Sequence, residues 1–156
     1  MNRTHLFETT MHLPLARPEV FDFFAEAQNL ERITPPELRF RITRAPEAIR
    51  EGALIEYTLR LFGVPFGWRT EIATWDPPNL FVDQQLRGPY RIWHHTHTFT
   101  DAPEASGAPG TRIHDAVRYA LPLWPVGEVA LPLVRAQVRR IFAYRERAIR
   151  RLLVER

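Results

Sequence analysis

Between Leu38 and Tyr119 the sequence consists of strand-like runs that are separated by short turn-forming segments. These segments are rich in proline and glycine, and they fall at residues 46, 51–52, 63–67, 76–79, 88–89 and 101–110. Parallel strands need crossover helices of a dozen or more residues, for which these short spacings leave no room. Six consecutive strands and an alternating segment at residues 3–13 therefore predict a seven-stranded antiparallel sheet.

Helical patterns flank this series of strands. Pro18 and Glu19 suit a first helical turn and predict a short helix, and a second short helix is predicted around Asn29. Near the C-terminus, apolar residues recur at helical spacing at Val134, Val138, Ile141, Phe142, Ala148, Ile149, Leu152 and Leu153. They predict a long helix over residues 131–154, and only the concave face of the sheet is large enough to bury its apolar stripe. We therefore predict an α+β fold, a seven-stranded antiparallel sheet wrapped around a long C-terminal helix.

The size and composition of the chain limit what it can be. Its 156 residues, 45% of them hydrophobic, predict one compact domain over residues 1–156. The absence of cysteine excludes disulfides and thiolate chemistry. No apolar run approaches the roughly 20 residues of a membrane span, so we expect no integral membrane segment and a cytoplasmic location. All 21 basic residues are arginine, but 18 carboxylates leave a net charge of +3, so we expect no nucleic-acid partner.

Three of the six histidines occur in one predicted strand, R-I-W-H-H-T-H-T-F, at residues 91–99. Because side chains alternate along a strand, one face carries Trp93, His95, His97 and Phe99. The following strand presents a mainly apolar row broken by one carboxylate, consisting of Ile113, Asp115, Val117 and Tyr119. These two rows predict an inward face on which imidazole, carboxylate and aromatic groups lie together.

The hairpin between these strands sets the pairing of the polar groups. If the loop places Phe99 opposite Thr111, then His95 lies opposite Asp115. The same register places His97 opposite Ile113. This arrangement predicts a His–Asp pair as the main polar feature of the inward face.

A cluster of His95, His97 and Asp115 has several chemical interpretations. The three groups could form a general acid/base pair, anchor a polar group of a ligand, or satisfy one another inside a partly polar core. Two histidines and a carboxylate also match the composition of a non-haem iron site. Residues at i and i+2 of a strand lack the preorganisation of a helical metal motif, however, so we assign no metal site. No glycine-rich phosphate loop opens a helix, and no cofactor is expected.

Four segments together resemble the SRPBCC superfamily, also known as START-like or polyketide cyclase/dehydrase-like proteins. They are R-P-E-V-F-D-F-F-A-x-A-x-N-L-E-R-I-T-P-P at 17–36, W-x-P-P-x-x-F at 75–81, G-P-Y-x-x-W-x-H-x-H-x-F at 88–99 and R-x-I-F-A-Y-R at 139–145. The resemblance covers nearly the whole chain and implies the helix-grip fold with a deep apolar cavity between long helix and sheet. The superfamily includes lipid, sterol and quinone carriers, hormone receptors and aromatase/cyclases, so it implies no catalytic residue set.

We therefore expect a non-catalytic protein that binds a small-to-medium hydrophobic ligand, such as a lipid, quinone, isoprenoid or aromatic polyketide-like molecule. The expected ligand-binding residues are Trp93, His95, His97, Phe99, Asp115, Val117, Tyr119, Ile141 and Phe142. The cavity should lie between the terminal helix and the strand rows of Trp93 and Val117, with its mouth near the short helices and hairpin loops.

Two other functions agree with the same sequence. One is a cyclase or dehydratase in which His95 and Asp115 act as the catalytic acid/base pair. The other is a toxin-like or assembly-factor module that uses the arginine-rich terminal helix as an interaction surface, with a transient membrane or protein partner. The ligand-binding protein and the enzyme predict different outcomes for a change of His95, because only the enzyme needs its imidazole for turnover.

Overall fold

The computed structural model describes residues 3–155; Met1, Asn2 and Arg156 lie outside the described residues. Within the described residues there are seven strands, namely β1 (His5–Leu13), β2 (Arg41–Arg44), β3 (Leu54–Leu61), β4 (Val64–Asp76), β5 (Leu80–Arg87), β6 (Ile92–Asp101) and β7 (Thr111–Ala120). The helices are α1 (Arg17–Phe24), α2 (Asn29–Arg32) and α3 (Leu131–Leu153). Two 3₁₀ helices, Pro36–Leu38 and Val126–Ala130, precede β2 and α3.

The strands form one sheet in the order β1-β7-β6-β5-β4-β3-β2. Every neighbouring pair within the described residues is antiparallel. Strands β2 to β7 follow one another as a meander, and β1 forms one edge of the sheet by pairing with β7. The seven-stranded antiparallel sheet predicted from the turn spacing is therefore confirmed.

The helices also form where the sequence predicts them. Helix α1 begins at Arg17 with proline in its first turn, and α2 and a 3₁₀ turn complete the segment between β1 and β2. Helix α3 ends at Leu153, one residue before the predicted limit. Within residues 3–155, no helix, α3 included, is long and apolar enough to cross a membrane.

Helix α3 packs its apolar stripe against the sheet. The buried residues of the helix are Val134, Val138, Phe142, Ala148, Ile149 and Leu153. Its C-terminal half joins α1, β6 and β7 in one apolar cluster, and its N-terminal half joins the middle strands in a second. Full burial of each large apolar side chain contributes about 1.5–3 kcal/mol, so this stripe fixes the helix on the sheet. The α+β helix-grip architecture is confirmed.

The register of the β6–β7 hairpin differs from the prediction by two residues. Phe99 lies opposite Ile113 rather than Thr111, so His97 lies opposite Asp115. His95 consequently lies opposite Val117. The strands pair as far as Asp101 and Thr111, and backbone hydrogen bonds inside the loop, such as Ala102 to Gly110 at 2.9 Å, continue this pairing. Because side chains alternate with a period of two, a shift of two residues leaves each side chain on the predicted face of the sheet, and the inward row of Trp93, His95, His97 and Phe99 is unchanged.

Candidate functional site

A pocket of about 140 Å³ lies between α3, the short helices and the middle strands. Most of its lining is apolar or aromatic, and it includes side chains from α1, α2, β3, β4, β5, β6 and α3. Phe23, Phe24 and Leu30 line it from the two short helices, while Ile141 and Phe142 line it from α3. Space enclosed by apolar walls with a few polar groups is the usual form of a small-molecule site.

Four aromatic side chains, from β3, β4, β6 and the turn between β5 and β6, form one wall of the pocket. The indole of Trp68 stacks on Tyr57, with ring centroids 5.6 Å apart, and meets Trp93 edge to face at 5.5 Å. Tyr90 contacts both indoles, at 5.7 and 4.7 Å. All four line the pocket, and such rings offer large contact area to an apolar ligand.

His95 and His97 form the polar end of the pocket. They occupy alternate positions of β6, and their rings stack with centroids 3.6 Å apart. His97 also stacks on Phe81 at 3.9 Å, which holds its ring in one orientation. Both histidines are buried, with 4% and 2% of their surface exposed. Their polar atoms can therefore be satisfied only by neighbouring groups or by a bound molecule.

Two carboxylates flank this histidine pair on opposite sides. On the β7 side, His95 Nε2 lies 2.7 Å from Asp115 Oδ1, and His97 Nδ1 lies 3.1 Å from the same oxygen. The first contact is a hydrogen bond, whereas the second is an ion-pair contact that lacks hydrogen-bond alignment. On the β5 side, His97 Nε2 hydrogen-bonds Asp83 Oδ2 at 2.6 Å, and His95 Nδ1 lies 3.7 Å from that oxygen.

The protonation of the cluster follows from this geometry. Burial lowers the pKa of His95 to about 4, and the charge of His97 acts in the same direction. Burial also lowers the pKa of His97, but Asp115 and Asp83 outweigh burial and raise it above its ordinary value. Burial raises the pKa of Asp115, yet the two imidazoles hold it well below the usual range. These shifts favour the protonated form of His97 and the neutral form of His95.

Arg145 of α3 places a second cation at the pocket. Its guanidinium carbon lies 5.4 Å from the centre of the Phe24 ring and 5.8 Å from that of Phe142. Its Nε and Nη2 atoms are buried, and no described residue accepts a hydrogen bond from either. An unsatisfied buried donor of this kind costs roughly 1–3 kcal/mol, more when charged, so the pocket favours a molecule that supplies an acceptor.

The predicted ligand-binding residues separate into two groups. Trp93, His95, His97, Ile141 and Phe142 line the pocket. The remaining four are buried outside it, namely Phe99, Asp115, Val117 and Tyr119. The pocket therefore extends from the row of Trp93 toward β3, β4 and β5 and the short helices. It does not extend toward the β7 row of Val117, where the two strands and α3 pack directly.

Asp83 and Arg145, which place charges at this site, and Trp68 of its aromatic wall were not among the residues predicted from the sequence. Asp83 lies two residues after Phe81 and directly opposite His95, so the alternation of β5 places it on the same inward face. Arg145 lies three residues after Phe142 and four before Ile149, so it belongs to the apolar stripe of α3. The available signal for Arg145 was a charge inside an otherwise apolar helical stripe. The inward row of β5 gave no such contrast, because Asp83 is followed on the same face by another polar residue, Gln85.

Several solved structures share this fold over nearly their full length. The Zhui aromatase/cyclase from Streptomyces sp. R1128 is 15% identical and has a TM-score of 0.75, covering 98% of each chain. A START superfamily protein from Mycobacterium smegmatis is 10% identical with a TM-score of 0.70, covering 95% of this chain and 99% of that one. Norcoclaurine synthase from Thalictrum flavum, in complex with dopamine and hydroxybenzaldehyde, is 14% identical with a TM-score of 0.69. The match covers 99% of this chain and 88% of that one.

At these identities the likeness concerns the fold alone. No curated protein sequence matches the chain. A family model described as "Domain of unknown function (DUF8410)" matches residues 25–153, which include the short helix α2, six of the strands and α3. The chain therefore belongs to the DUF8410 family and has the START-like fold of the SRPBCC superfamily.

Proposed function

We propose that this protein binds a compact apolar molecule, about one ring in size, that carries a carboxylate or another oxygen acceptor. The observation that supports this proposal best is the guanidinium of Arg145, whose buried Nε and Nη2 lack an acceptor beside the apolar part of the pocket. An aromatic or aliphatic ring would occupy the apolar part. Its acceptor would satisfy Arg145.

The volume of the pocket supports a ligand smaller than the lipids, quinones, isoprenoids and aromatic polyketide-like molecules expected from the sequence. It measures about 140 Å³. A cavity of about 150 Å³ lined by apolar side chains holds one benzene molecule, whereas drug-sized ligands occupy roughly 300–1,000 Å³. A ligand of several rings or a long acyl chain would require α1 and α2 to move away from the sheet.

The polar groups around the pocket support an oxygen acceptor on the ligand. Besides Arg145, the indole Nε1 of Trp68 is buried, and no described residue accepts its hydrogen bond. Both side chains line the same pocket. A carboxylate or carbonyl oxygen accepts from N–H donors, and a hydrogen bond to a charged group is about twice as strong as a neutral one. The complex of norcoclaurine synthase with dopamine and hydroxybenzaldehyde gives a precedent for single-ring molecules in this fold.

Benzoate and toluene test the proposal, because they share a ring and differ in the acceptor. We expect both compounds to bind. Arg145→Met should weaken the affinity for benzoate roughly 10- to 100-fold and leave the affinity for toluene unchanged, because a hydrogen bond to a charged group is worth about 1.5–3 kcal/mol. Isothermal titration calorimetry measures both affinities.

Arg147→Met is the matched control, because Arg147 is exposed on the same helix two residues away. It should leave both affinities as they are in the unmodified protein. Equal loss of benzoate binding in Arg145→Met and Arg147→Met would contradict the proposed role of Arg145. Failure of the unmodified protein to bind either compound would contradict the proposed ligand class.

A second function, acid–base catalysis, is favoured by the contact between His95 and Asp115. Asp115 accepts from Nε2 at 2.7 Å, which leaves Nδ1 of a neutral His95 as the basic atom, and His95 lines the pocket. Because burial lowers the pKa of His95 to about 4, this nitrogen is unprotonated at neutral pH but only weakly basic, so it would remove a proton only from a carbon activated by a neighbouring carbonyl group of a bound ligand. The His95–Asp115 pair predicted as catalytic would then act with Asp115 as the orienting carboxylate.

Deuterium exchange into the methyl group of acetophenone, followed by NMR, tests this second function. We expect exchange above the buffer rate, and His95→Gln to lower it by at least about 100-fold, the typical contribution of a general base. His94→Gln changes the neighbouring histidine on the other face of β6 and should leave the rate unaltered. Exchange at the buffer rate in the unmodified protein would contradict catalysis by His95 and leave the binding function in place.

A further inference from the structure

Three neighbouring strands bring four ionisable side chains to one point of the sheet. Asp83 of β5 lies directly opposite His95 of β6, and Asp115 of β7 lies directly opposite His97. His95 and His97 are two residues apart and share a face. The alternation of each strand therefore presents two imidazoles between two carboxylates, which are mainly buried.

Each carboxylate of this cluster lies near one nitrogen of each imidazole ring. One nitrogen of each ring, Nε2 of His95 and Nδ1 of His97, lies within 3.1 Å of Asp115 Oδ1. The other nitrogen of each ring, Nδ1 of His95 and Nε2 of His97, lies toward Asp83 Oδ2, at 3.7 and 2.6 Å. On the Asp83 side, one atom from each of Asp83, His95 and His97 lies within 4.8 Å of the other two.

The Asp83 side leaves donor atoms available to an ion. Asp115 accepts the Nε2 proton of His95 at 2.7 Å, so Nδ1 is the nitrogen of that ring that lies toward Asp83. Nδ1 lies 3.7 Å from Asp83 Oδ2, beyond hydrogen-bond distance, so a gap separates these two atoms on the side where His97 Nε2 also lies.

We propose that Asp83, His95 and His97 form a binding site for a divalent transition-metal ion at the polar end of the pocket. Two imidazole nitrogens and one carboxylate oxygen are the donors that zinc and non-haem iron take in sites that keep open coordination positions. The ion would replace the proton that His97 now shares with Asp83. This inference differs from the expectation from the sequence alone, which assigned no metal site.

Asp115 supplies the outer support that such sites require. Histidine ligands usually donate their other ring N–H to a carboxylate, which fixes the tautomer and the ring orientation. Here Asp115 accepts from His95 and lies 3.1 Å from the corresponding nitrogen of His97.

Cobalt(II) is the probe, because its visible absorption bands report coordination by protein nitrogens. The untagged chain is treated with a chelator, dialysed and titrated with cobalt chloride. We expect saturation at one ion per chain, and Asp83→Asn and His97→Gln each to weaken binding by more than the 10- to 100-fold typical of losing an outer partner. Asp115→Asn should weaken it by about 10- to 100-fold. Arg145→Met should tighten it, because a cation near Asp83 is removed.

Two outward histidines on the same strands are the matched controls. His94→Gln and His114→Gln remove imidazoles from the other face of β6 and β7, and both should bind cobalt as the unmodified chain does. No saturable binding by the unmodified chain would overturn the proposal, as would equal affinities of His97→Gln and His94→Gln. Circular dichroism identifies variants that are folded, and Asp83→Asn conserves the shape of the side chain.

This proposal and the proposed binding function are tested separately. Benzoate binding is measured with the chelator-treated chain, and it depends on Arg145 and the apolar pocket. If this chain binds benzoate but not cobalt, only the metal site is wrong. If it binds cobalt but neither benzoate nor toluene, only the ligand class is wrong.

Discussion

Replacement of Asp115 by alanine is expected to lower the free energy of unfolding by about 3–5 kcal/mol, the usual loss when one partner of a buried ionic contact is removed. Asp115 is 5% exposed and accepts the hydrogen bond of His95, while His97 lies 3.1 Å away. Alanine leaves His95 without this acceptor and leaves a cavity beside the two imidazoles. Urea denaturation at neutral pH, monitored by circular dichroism, measures the change.

The loss should depend on pH in a defined direction. The imidazoles hold the pKa of Asp115 well below its usual range, so its stabilising contribution is present above the unfolded pKa of about 3.9. It is lost as the pH falls through the lower pKa of the folded state. The difference between Asp115→Ala and the unmodified protein should therefore be large at neutral pH and shrink only in strong acid.

Two variants make this result specific. Asp115→Asn keeps the shape and one acceptor oxygen, so it should lose less stability than Asp115→Ala. His114→Ala removes the neighbouring outward side chain, whose nearest carboxylate is Glu8 at 3.9 Å, and should stay within about 0.5 kcal/mol of the unmodified protein. A loss in Asp115→Ala as small as that in His114→Ala would mean that the histidine–carboxylate cluster does not stabilise the fold.

Replacement of Phe99 by alanine is expected to cost a similar amount, about 3–5 kcal/mol, because it removes a fully buried ring from the core. Phe99 is 1% exposed, and its ring centre lies 5.0 Å from that of Phe21 and 5.4 Å from that of Phe24. These contacts join β6 to α1. The cavity left by alanine would loosen the helix that forms one wall of the pocket.

The matched control is Phe62→Ala, because Phe62 is 61% exposed. It should change the free energy of unfolding by no more than about 0.5 kcal/mol. Phe99→Leu keeps much of the apolar volume and should fall between the two alanine variants. Thermal unfolding of the three variants gives this order, and equal stability of Phe99→Ala and Phe62→Ala would contradict a packing role for Phe99.

In the histidine-rich strand, the sequence predicted which side chains share a face but not which residues pair across the strands. Alternation placed His95, His97 and Asp115 on one inward face, and the structure has them there, buried. The predicted cross-strand partners were wrong by two residues because the loop continues the pairing beyond Phe99. His95 nevertheless reaches Asp115 diagonally across the strands, at 2.7 Å. The face of the sheet that a side chain occupies is set by its position along the strand, whereas the pairing register between two strands depends on how the loop closes.

The sequence by itself determined the antiparallel sheet and the long helix, because turn spacing and apolar periodicity are local properties of the chain. Tertiary structure alone decided that Asp83 joins the histidines, since this requires β5 to lie beside β6 in a particular register. It also decided that Arg145 reaches the pocket and that the pocket has room for about one ring. Distances between groups far apart in sequence depend on loop closure and on the packing of α3, which no local pattern encodes.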